Sequence, residues 1–284
     1  MSEWWIRGER FAGSGLPPRI MGVLNLTPDS FSDGGKYQDP QAAVDHALQL
    51  VEEGADILDV GGESSRPGAE QVSLDEERRR VLPVLEILCS RVNVPISIDT
   101  MKPQIAREAL ACGVKVINDI SGLRDPEMLE IAAAARASVV LMHMAGTPQT
   151  MQNNPVYEDV VKSVSGYLED QVRRAELAGI PRANIAIDPG VGFGKRTTHN
   201  LEILRELPRF ASVGCVLLIG VSRKGLIGTL TDRSVEARLT GSIVASLAAI
   251  FRGAGVVRVH DVGAMRDAIR VWDSLIGWRA ETFE

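Results

Sequence analysis

Short apolar runs recur along the whole chain and are separated by longer stretches that carry helix signals. The runs are nearly continuous in Val, Ile and Leu instead of alternating apolar with polar residues, a pattern typical of parallel strands buried on both faces. They predict strands at Arg19–Asn25, Ile57–Gly61, Pro95–Asp99, Val116–Ile120, Ser138–His143, Ile185–Asp188, Val216–Val221 and Val256–His260.

The intervening stretches begin and end as helices do. Asp39-Pro40 and Asp125-Pro126 each place an N-cap residue before a proline at the first helical position. Ser73 to Glu76 has the pattern of a capping box. Glycines stand where helices should end, at Gly54, Gly113 and Gly179.

Strand–helix alternation repeated about eight times, without a proline- or glycine-rich linker, predicts a single α/β domain folded as a (β/α)8 TIM barrel. We assign this domain to residues 1–284, with residues 1–18 as an N-terminal extension. A doubly wound open sheet is the alternative, because periodicity does not reveal whether a sheet closes.

Composition narrows the function. The chain is 45% hydrophobic and 24% charged with a formal net charge of −6, which argues against a general affinity for nucleic acid or anionic membranes. An anionic ligand would need a local cluster of basic residues. The longest apolar stretch, Ile243–Phe251, falls well short of the roughly 18 residues of a membrane span. Cys89, Cys112 and Cys215 are too widely spaced for a disulfide framework or a zinc site, so we expect a cytoplasmic protein.

Polar or ionisable residues end nearly every predicted strand. In a TIM barrel these ends form the face that carries the active site. One such residue is usually a cap for the next helix, but so many on one rim, including three carboxylates, indicate a functional site. They are Asn25, Asp59, Asp99, Asn118, His143, Asp188, Ser222 to Lys224, Arg258 and His260.

The segment Ile185–Lys195 (IAIDPGVGFGK) resembles a nucleotide-binding loop but does not match one, because Pro189 replaces the first glycine and Arg196 follows the lysine. Its informative residue is Asp188. A carboxylate at a strand end can accept two parallel hydrogen bonds, for example from a 2-amino-pyrimidinone edge. The alternative is that Asp188 caps the following turn.

Two further strand ends predict anion binding. Gly220–Gly228 (GVSRKGLIG) leads from a strand into a helix, where backbone N–H groups, Ser222 and Lys224 favour a carboxylate or phosphate. A solvated basic turn is the alternative. Arg258 and His260 are two residues apart and therefore on one side of their strand, where two basic groups are costly to bury without an anion. His143 has a second interpretation as a satisfied core histidine.

Two loops share a composition of Gly, Ser and acidic residues, TPDSFSDGG after the first strand and GGESSRPGA after the second. Each carries one distinctive side chain, Phe31 or Arg66. Such loops are typical of lids that become ordered around a ligand.

Taken together, the motifs resemble the dihydropteroate synthase family. The matching stretches occur in the family's order from Gly22 to Val262 and are GVLNLTPDSFSDGG, DVGGESSRPGA, SIDT, VINDISG, LMHMAGTPQTMQ, DPGVGFGK, GVSRK and RVHDV. The resemblance implies a (β/α)8 barrel that condenses 6-hydroxymethyl-7,8-dihydropterin pyrophosphate with p-aminobenzoate, with Mg²⁺ as cofactor. It also implies that these small molecules are the binding partners of the protein and that the protein forms a homodimer.

The resemblance also implies roles for individual residues. The pterin would be bound by Asp99, Asn118, Met142, Asp188 and Lys224. Pyrophosphate would be bound by Asn25, Ser65, Arg258 and His260, and Mg²⁺ by Asn25 and Asp33. The p-aminobenzoate site would consist of Phe31, Arg66, Pro67, Phe193 and Ser222. Catalysis would rest on Asp33, Asp99, Lys224, Arg258 and His260.

One position departs from the family. The second loop usually reads Glu-Ser-Thr-Arg-Pro, and Ser65 stands here in place of the threonine. We expect activity to be retained and the affinity for sulfonamides to change. Two other functions stay open, a methyltetrahydrofolate-dependent methyltransferase and a catalytically silent pterin-binding barrel. The methyltransferase has no use for a pyrophosphate cluster or an acidic first loop, so Arg258, His260 and Asp33 argue against it. All the polar positions expected of the active family are present, which argues against the silent barrel.

Overall fold

The computed structural model describes residues 2–27, 40–66 and 68–276. Its strands are β1 (Glu3–Ile6), β2 (Glu9–Gly13), β3 (Arg19–Asn25), β4 (Ile57–Gly61), β5 (Ile96–Asp99), β6 (Val116–Asp119), β7 (Ser138–Met142), β8 (Ile185–Asp188), β9 (Val216–Ile219) and β10 (Ala254–Val259). The strands from β3 to β10 pair in parallel and close into a barrel, which confirms the TIM-barrel prediction over the open sheet.

Helices connect the barrel strands and cover their outer faces. They are α1 (Pro40–Glu52), α2 (Leu74–Arg91), α3 (Pro103–Cys112), α4 (Pro126–Ala134), α5 (Val160–Leu177), α6 (Thr197–Arg205), α7 (Gly225–Thr231), α8 (Leu239–Phe251) and α9 (Val262–Ile276). The outward-facing side chains of the strands and the apolar faces of the helices form one large core. None of these helices, in the ranges just given, is long and apolar enough to cross a bilayer.

The predicted helix caps are present where the structure describes them. The Ser73 hydroxyl accepts a hydrogen bond from the backbone N–H of Glu76 at 3.2 Å, and the Asp125 carboxylate accepts one from Glu127 at 2.8 Å. Gly113 ends α3 in the left-handed conformation. Asp39 lies outside the described residues, and α1 begins at Pro40 as predicted.

The N-terminal extension is a structural element. β1 and β2 form an antiparallel hairpin, and Trp4 on this hairpin packs with inward-facing strand residues such as Met21 and Val140. The Trp4 indole donates to the carbonyl of Asn184, just before β8, and the Ser138 hydroxyl at the start of β7 donates to Trp5. The hairpin therefore closes the N-terminal end of the barrel, and the opposite end is left for the site.

Several predicted strand ends differ by one or two residues from the observed ones. β6 ends before Ile120, β7 ends before His143 and β9 ends before Val221. These three residues are nevertheless buried, because the rim loops fold inward over the barrel. The residues that follow the last paired position of these strands are therefore still apolar or buried. This is why the strands predicted from the sequence extend too far.

Candidate active site

A cluster of charged side chains fills the C-terminal end of the barrel around Arg258. Its Nε donates to Asp59 Oδ2 at 2.6 Å, and one terminal nitrogen donates to Asp99 Oδ2 at 2.8 Å. Asn118 also donates to Asp59 Oδ2, at 3.1 Å. Three predicted strand-end residues on β4, β5 and β6 are thus brought together by a fourth on β10.

The two carboxylates share one guanidinium in a dry environment. Asp59 is fully buried, and its Oδ1 has no hydrogen-bond partner among the described residues. Burial raises the pKa of the Asp99 carboxyl to about 7, Arg258 opposes this shift and Asp59 adds to it. The positive charge of Arg258 is therefore compensated by two carboxylates. A bound anion would compete with these carboxylates for the guanidinium.

Asp188 ends β8 next to Met142, its register partner on β7. Asp188 Oδ1 accepts a hydrogen bond of 2.7 Å from the backbone N–H of Gly190. This contact confirms that Asp188 caps its own turn, and it leaves Oδ2 for a ligand. Burial raises the pKa of Asp188, and the ammonium groups of Lys224 and Lys195 oppose that shift.

Lys224 connects this carboxylate to the loop after β8. Its ammonium donates to the carbonyl of Val191 and lies 4.6 Å from the centre of the Phe193 ring. Burial lowers the pKa of Lys224 to about 8, and Asp188 opposes the shift. Phe193 packs against an apolar group that includes Met142, Met144 and Met151. A flat apolar surface therefore lies beside Asp188 and Lys224, as a planar heterocycle requires.

Ser222 and His260 form a pair at the ends of β9 and β10. Ser222 Oγ accepts from the His260 backbone N–H at 3.2 Å and lies 3.0 Å from His260 Nδ1. Burial, helped by Arg258 and Arg223, lowers the pKa of His260 to about 4. The imidazole is therefore neutral at physiological pH, and one of its two ring nitrogens can donate a hydrogen bond.

The neutral imidazole of His260 corrects the expectation that this residue adds a second positive charge beside Arg258. Arg223, the other basic residue of the motif, turns away and forms an ion pair with Asp261. The predicted anion site consequently has one permanent charge, on Arg258, together with the neutral donor His260. Arg66, an exposed residue of the loop after β4, lies within electrostatic reach of His260.

The loop after β4 is held at its base by buried charges. Lys102 donates to the carboxylates of Glu63 and Glu77, and the Thr100 hydroxyl donates to Glu77 at 2.7 Å. Glu77 is fully buried. Beyond this base the loop lines a pocket shared with Asp99. The other lining residues are Glu63, Ser64, Ser65, Thr100, Met101, Ile120 and Pro148.

Asn25, the last residue of β3, pairs with Gly61 at the rim. Its predicted metal partner Asp33 lies outside the described residues, as do Phe31 and Pro67 of the p-aminobenzoate site. Within residues 2–27, 40–66 and 68–276 no group of three or more His, Cys, Asp or Glu side chains could hold a metal. A single amide oxygen at the rim still fits Mg²⁺, which commonly takes few protein ligands and binds phosphate oxygens and water.

Three of the residues that shape this region had no role predicted from the sequence. Asp59 was recognised only as a strand end, Lys195 as part of a failed nucleotide motif and Lys102 not at all. Lys195 is buried and its ammonium lies 2.9 Å from His143 Nδ1. His143 is therefore a satisfied core histidine. The sequence did contain a signal for the role of Lys195, because this lysine directly follows three closely spaced glycines.

The chain is similar to known proteins of one family. Residues 21–260 match the model of the pterin binding enzyme family. Dihydropteroate synthase of Neisseria meningitidis serogroup C is 51% identical over 263 residues, covering 91% of this chain and 93% of that protein. The Xanthomonas albilineans dihydropteroate synthase structure with 4-aminobenzoic acid has a TM-score of 0.87 and 48% identity and covers 94% of both chains. The same enzyme in complex with 7,8-dihydropteroate gives a TM-score of 0.83 at 47% identity, covering 91% of this chain and 93% of that one. The chain belongs to the pterin binding enzyme family and, within it, to the dihydropteroate synthases.

Proposed function

We propose that the protein condenses 6-hydroxymethyl-7,8-dihydropterin pyrophosphate with p-aminobenzoate, giving 7,8-dihydropteroate and pyrophosphate for folate biosynthesis. This is a transferase reaction. The observation that carries the proposal is the polar ring of Asp99, Asn118, Asp188 and Lys224, which adjoins Arg258 and His260 on one barrel rim. The names of the relatives support the same activity.

The pterin would lie across the ring. The unengaged Oδ2 of Asp188 would accept from the amino-pyrimidinone edge, and Asn118 would donate to or accept from the other ring edge. Met142 and Phe193 supply apolar surface for the faces of the heterocycle. Lys224 would donate to a pterin carbonyl or nitrogen from its position above Phe193.

Pyrophosphate would leave from the side of Arg258, His260 and Ser65. The charge that develops on the leaving group would draw the guanidinium away from Asp59 and Asp99, and Nε2–H of His260 would donate to a phosphate oxygen. The carboxylate Asp99, freed from its ion pair, would then stabilise positive charge on the pterin. No protein nucleophile is needed for this departure.

Mg²⁺ would be held by Asn25 and Asp33 together with the pyrophosphate oxygens. When bound, it supplies additional positive charge to the leaving group. The rim position of Asn25 supports the assignment on this chain. The protein's own residues retain the tasks of binding the pterin and of shielding it from water.

p-Aminobenzoate would enter beside Phe193, with its carboxylate at Ser222 and Arg66. Phe31 and Pro67 would complete this subsite. The hydroxyl of Ser222 lies 3.0 Å from His260 Nδ1 and would rotate away from it to donate its one proton to the carboxylate. A sulfonamide, which imitates p-aminobenzoate in shape and charge, would compete for the same place.

The direct test is an assay of pyrophosphate release with both substrates and Mg²⁺, with omission of each component in turn. Release is expected only in the complete mixture, together with dihydropteroate. Asp188→Ala should lower kcat/KM by about 100-fold, because it removes the charge-assisted hydrogen bonding of Oδ2 to the pterin. Asp170→Ala, on the exposed side of α5, is the matched control. Parent-like turnover by Asp188→Ala would refute the pterin assignment.

The same assay separates the two alternatives. A methyltetrahydrofolate-dependent methyltransferase would release no pyrophosphate, and a silent pterin-binding barrel would bind the pterin without turnover. The compensated guanidinium of Arg258, poised between two carboxylates, favours a site in which an anion arrives and departs.

We also infer that the protein forms a homodimer through α8 and α9. These helices expose large apolar side chains, with Phe251 58%, Val271 60% and Leu275 78% exposed. Phe251 and Trp272 contact each other edge to face, which joins the two helices into one surface. Exposed apolar groups of this size favour an interface. Light scattering after gel filtration measures the mass in solution.

A cytoplasmic location is part of the proposal. The three cysteines are free thiols, as is usual for proteins of a reducing compartment. Burial raises the pKa of the Cys215 thiol to about 12, so this side chain is unreactive. Fractionation of cells that produce the protein measures its location.

A further inference from the structure

The loop after β8, residues 189–194, is fixed by its carbonyl groups. Each of five consecutive carbonyl oxygens accepts a hydrogen bond from a side chain that comes from outside the loop or from its very end. The pairs are Gly190 with Lys195, Val191 with Lys224, Gly192 with Gln152, Phe193 with Lys195 and Gly194 with Tyr157.

Lys195 makes two of these contacts and is the innermost of the donors. Its ammonium lies 2.9 Å from the carbonyls of Gly190 and Phe193, 3.3 Å from the carbonyl of His143 and 2.9 Å from His143 Nδ1. The residue is only 3% exposed. A single buried nitrogen therefore joins the start of the loop, the end of the loop and the end of β7.

All four neighbours act as acceptors, which favours the charged form of the lysine. Burial, followed by the charges of Lys195 and Arg124, lowers the pKa of His143 to about 3, so its ring is neutral and can offer Nδ1 as an acceptor. Burial lowers the pKa of Lys195 to about 7, and the carboxylate of Asp188 opposes that shift. A protonated amine satisfies more of these acceptors than a neutral one and faces a compensating charge.

The loop cannot be rigid through its own side chains. Gly190, Gly192 and Gly194 have φ values of +69°, +86° and +63°. A Cβ atom on Gly190 would lie 2.0 Å from the carbonyl oxygen of His143, so the close approach to β7 requires glycine. Glycine-rich backbone gains order chiefly from external contacts, and here these are the five carbonyl hydrogen bonds, the bond from the Gly192 N–H to Asn200 Oδ1 at 2.8 Å and the burial of Val191.

We propose that Lys195 is a positioning residue for the reaction: its ammonium locks the loop at 189–194 and so holds Asp188 and Phe193 in place without touching either substrate. The inference rests on the proposed function. Asp188 depends on the loop because its carboxylate accepts from the Gly190 N–H. Phe193 depends on it because its own carbonyl is held by Lys195.

The test compares Lys195→Met with the parent protein. The methionine fills a similar volume and removes every donor. We expect kcat/KM for p-aminobenzoate to fall by 10-fold or more, about the cost of misplacing a binding group. Hydrogen exchange of the amides in residues 189–194 should accelerate while exchange in β3 to β7 stays at the parental rate. Lys162→Met, on the exposed side of α5, is the matched control and should change neither quantity.

Hydrogen exchange measured separately in residues 189–194 distinguishes a residue that positions this loop from one that stabilises the whole fold. Parental kcat/KM together with parental exchange in residues 189–194 would overturn the proposal, as would acceleration spread evenly over the whole barrel. Should Lys195→Met not fold, Lys195→Gln takes its place, because it lacks the charge and the reach of the lysine although its amide keeps two N–H donors. Lower kcat/KM with faster exchange confined to residues 189–194 would support the proposal, and parental values of both would overturn it. If the parent itself forms no dihydropteroate, the proposed function fails, whereas the exchange comparison still decides whether Lys195 fixes the loop.

Discussion

Asp99 shows how the environment of one side chain sets its chemistry. The carboxyl group lies 2.8 Å from a nitrogen of Arg258, close to Asp59, and both carboxylates are largely removed from water. Burial raises the pKa of Asp99 to about 7 despite this ion pair. A site that handles a polyanionic leaving group thus carries a carboxyl group that is ionised only in part at neutral pH.

We predict that kcat/KM for the pterin substrate rises as the pH increases through about 7, because ionised Asp99 is the form that accepts hydrogen bonds and stabilises positive charge. Its folded pKa exceeds the unfolded value of 3.8, so the native state binds the extra proton between these values and loses stability as the pH rises through them. Asp99→Asn should be slower and should lack this acidic limb. A pH–rate profile of both proteins measures the effect, and an unchanged limb in Asp99→Asn would assign the titration to another group.

At the scale of single residues, the sequence predicted which polar residues lie on the C-terminal rim of the barrel. It did not predict which of them form ion pairs or hydrogen bonds with one another. Asp188 is the last residue of β8, Asn118 and Arg258 are the next-to-last residues of β6 and β10, and these polar interruptions of apolar runs are visible in the sequence alone. That Arg258 is shared between Asp59 and Asp99 depends on neighbours far away in the chain. The neutral state of His260 likewise follows from burial and from Arg258, which no local pattern records.

The loop after β4 illustrates how an element is held in position. Glu63 lies at its base, and Lys102 connects this residue to Glu77 on α2. Glu77 is fully buried, so its charge depends on Lys102 and on the Thr100 hydroxyl. Ser65 and Arg66 follow directly after this anchored segment.

We predict that Lys102→Met lowers the free energy of unfolding by about 3–5 kcal/mol, since it leaves a buried carboxylate without its partner. It should also raise the KM for p-aminobenzoate, because Ser65 and Arg66 lose their fixed base. Lys115→Met, at an exposed position, serves as the control. Urea unfolding and steady-state kinetics measure both effects. Equal unfolding free energies for the two variants would show that Glu77 does not depend on Lys102.

At the scale of elements, the cores of the eight barrel strands were predicted, and both ends of three of them. β3, β4 and β8 agree with the prediction at both ends because each stops sharply at a polar residue or a glycine. β9 was extended to Val221, which is buried by the rim loops without pairing in the sheet. The loop anchor formed by Lys102 was missed because buried ion pairs between loops leave no periodic signal.

The whole molecule has two ends with different tasks. The C-terminal end carries the charged cluster, and the N-terminal end is closed by the β1–β2 hairpin. Alternation of strands and helices repeated about eight times favoured a TIM barrel over an open sheet, and the closed barrel of the structure decides between them. The hairpin did not follow, since its strands EWWI and ERFAG lack the continuous aliphatic run that marks the barrel strands.

Trp4 is the largest fully buried side chain at the closed end, and it allows the separation of the two ends to be tested. Its side chain is fully buried with Met21, Ile57 and Val140, and its indole N–H is bonded to Asn184. We predict that Trp4→Ala lowers the free energy of unfolding by about 3–5 kcal/mol, the usual cost of a large cavity.

Trp5→Ala provides the matched comparison, because Trp5 is only partly buried and its indole is bonded to Glu3 on the same strand. This change should cost less than about 1 kcal/mol, as for a surface position. The KM values of both variants should stay at the parental level, since the hairpin lies at the end of the barrel opposite to Asp188 and Arg258. Urea unfolding together with steady-state kinetics tests this. A marked rise in KM for Trp4→Ala, measured where the variant is fully folded, would mean that packing at the closed end is coupled through the barrel to the catalytic rim.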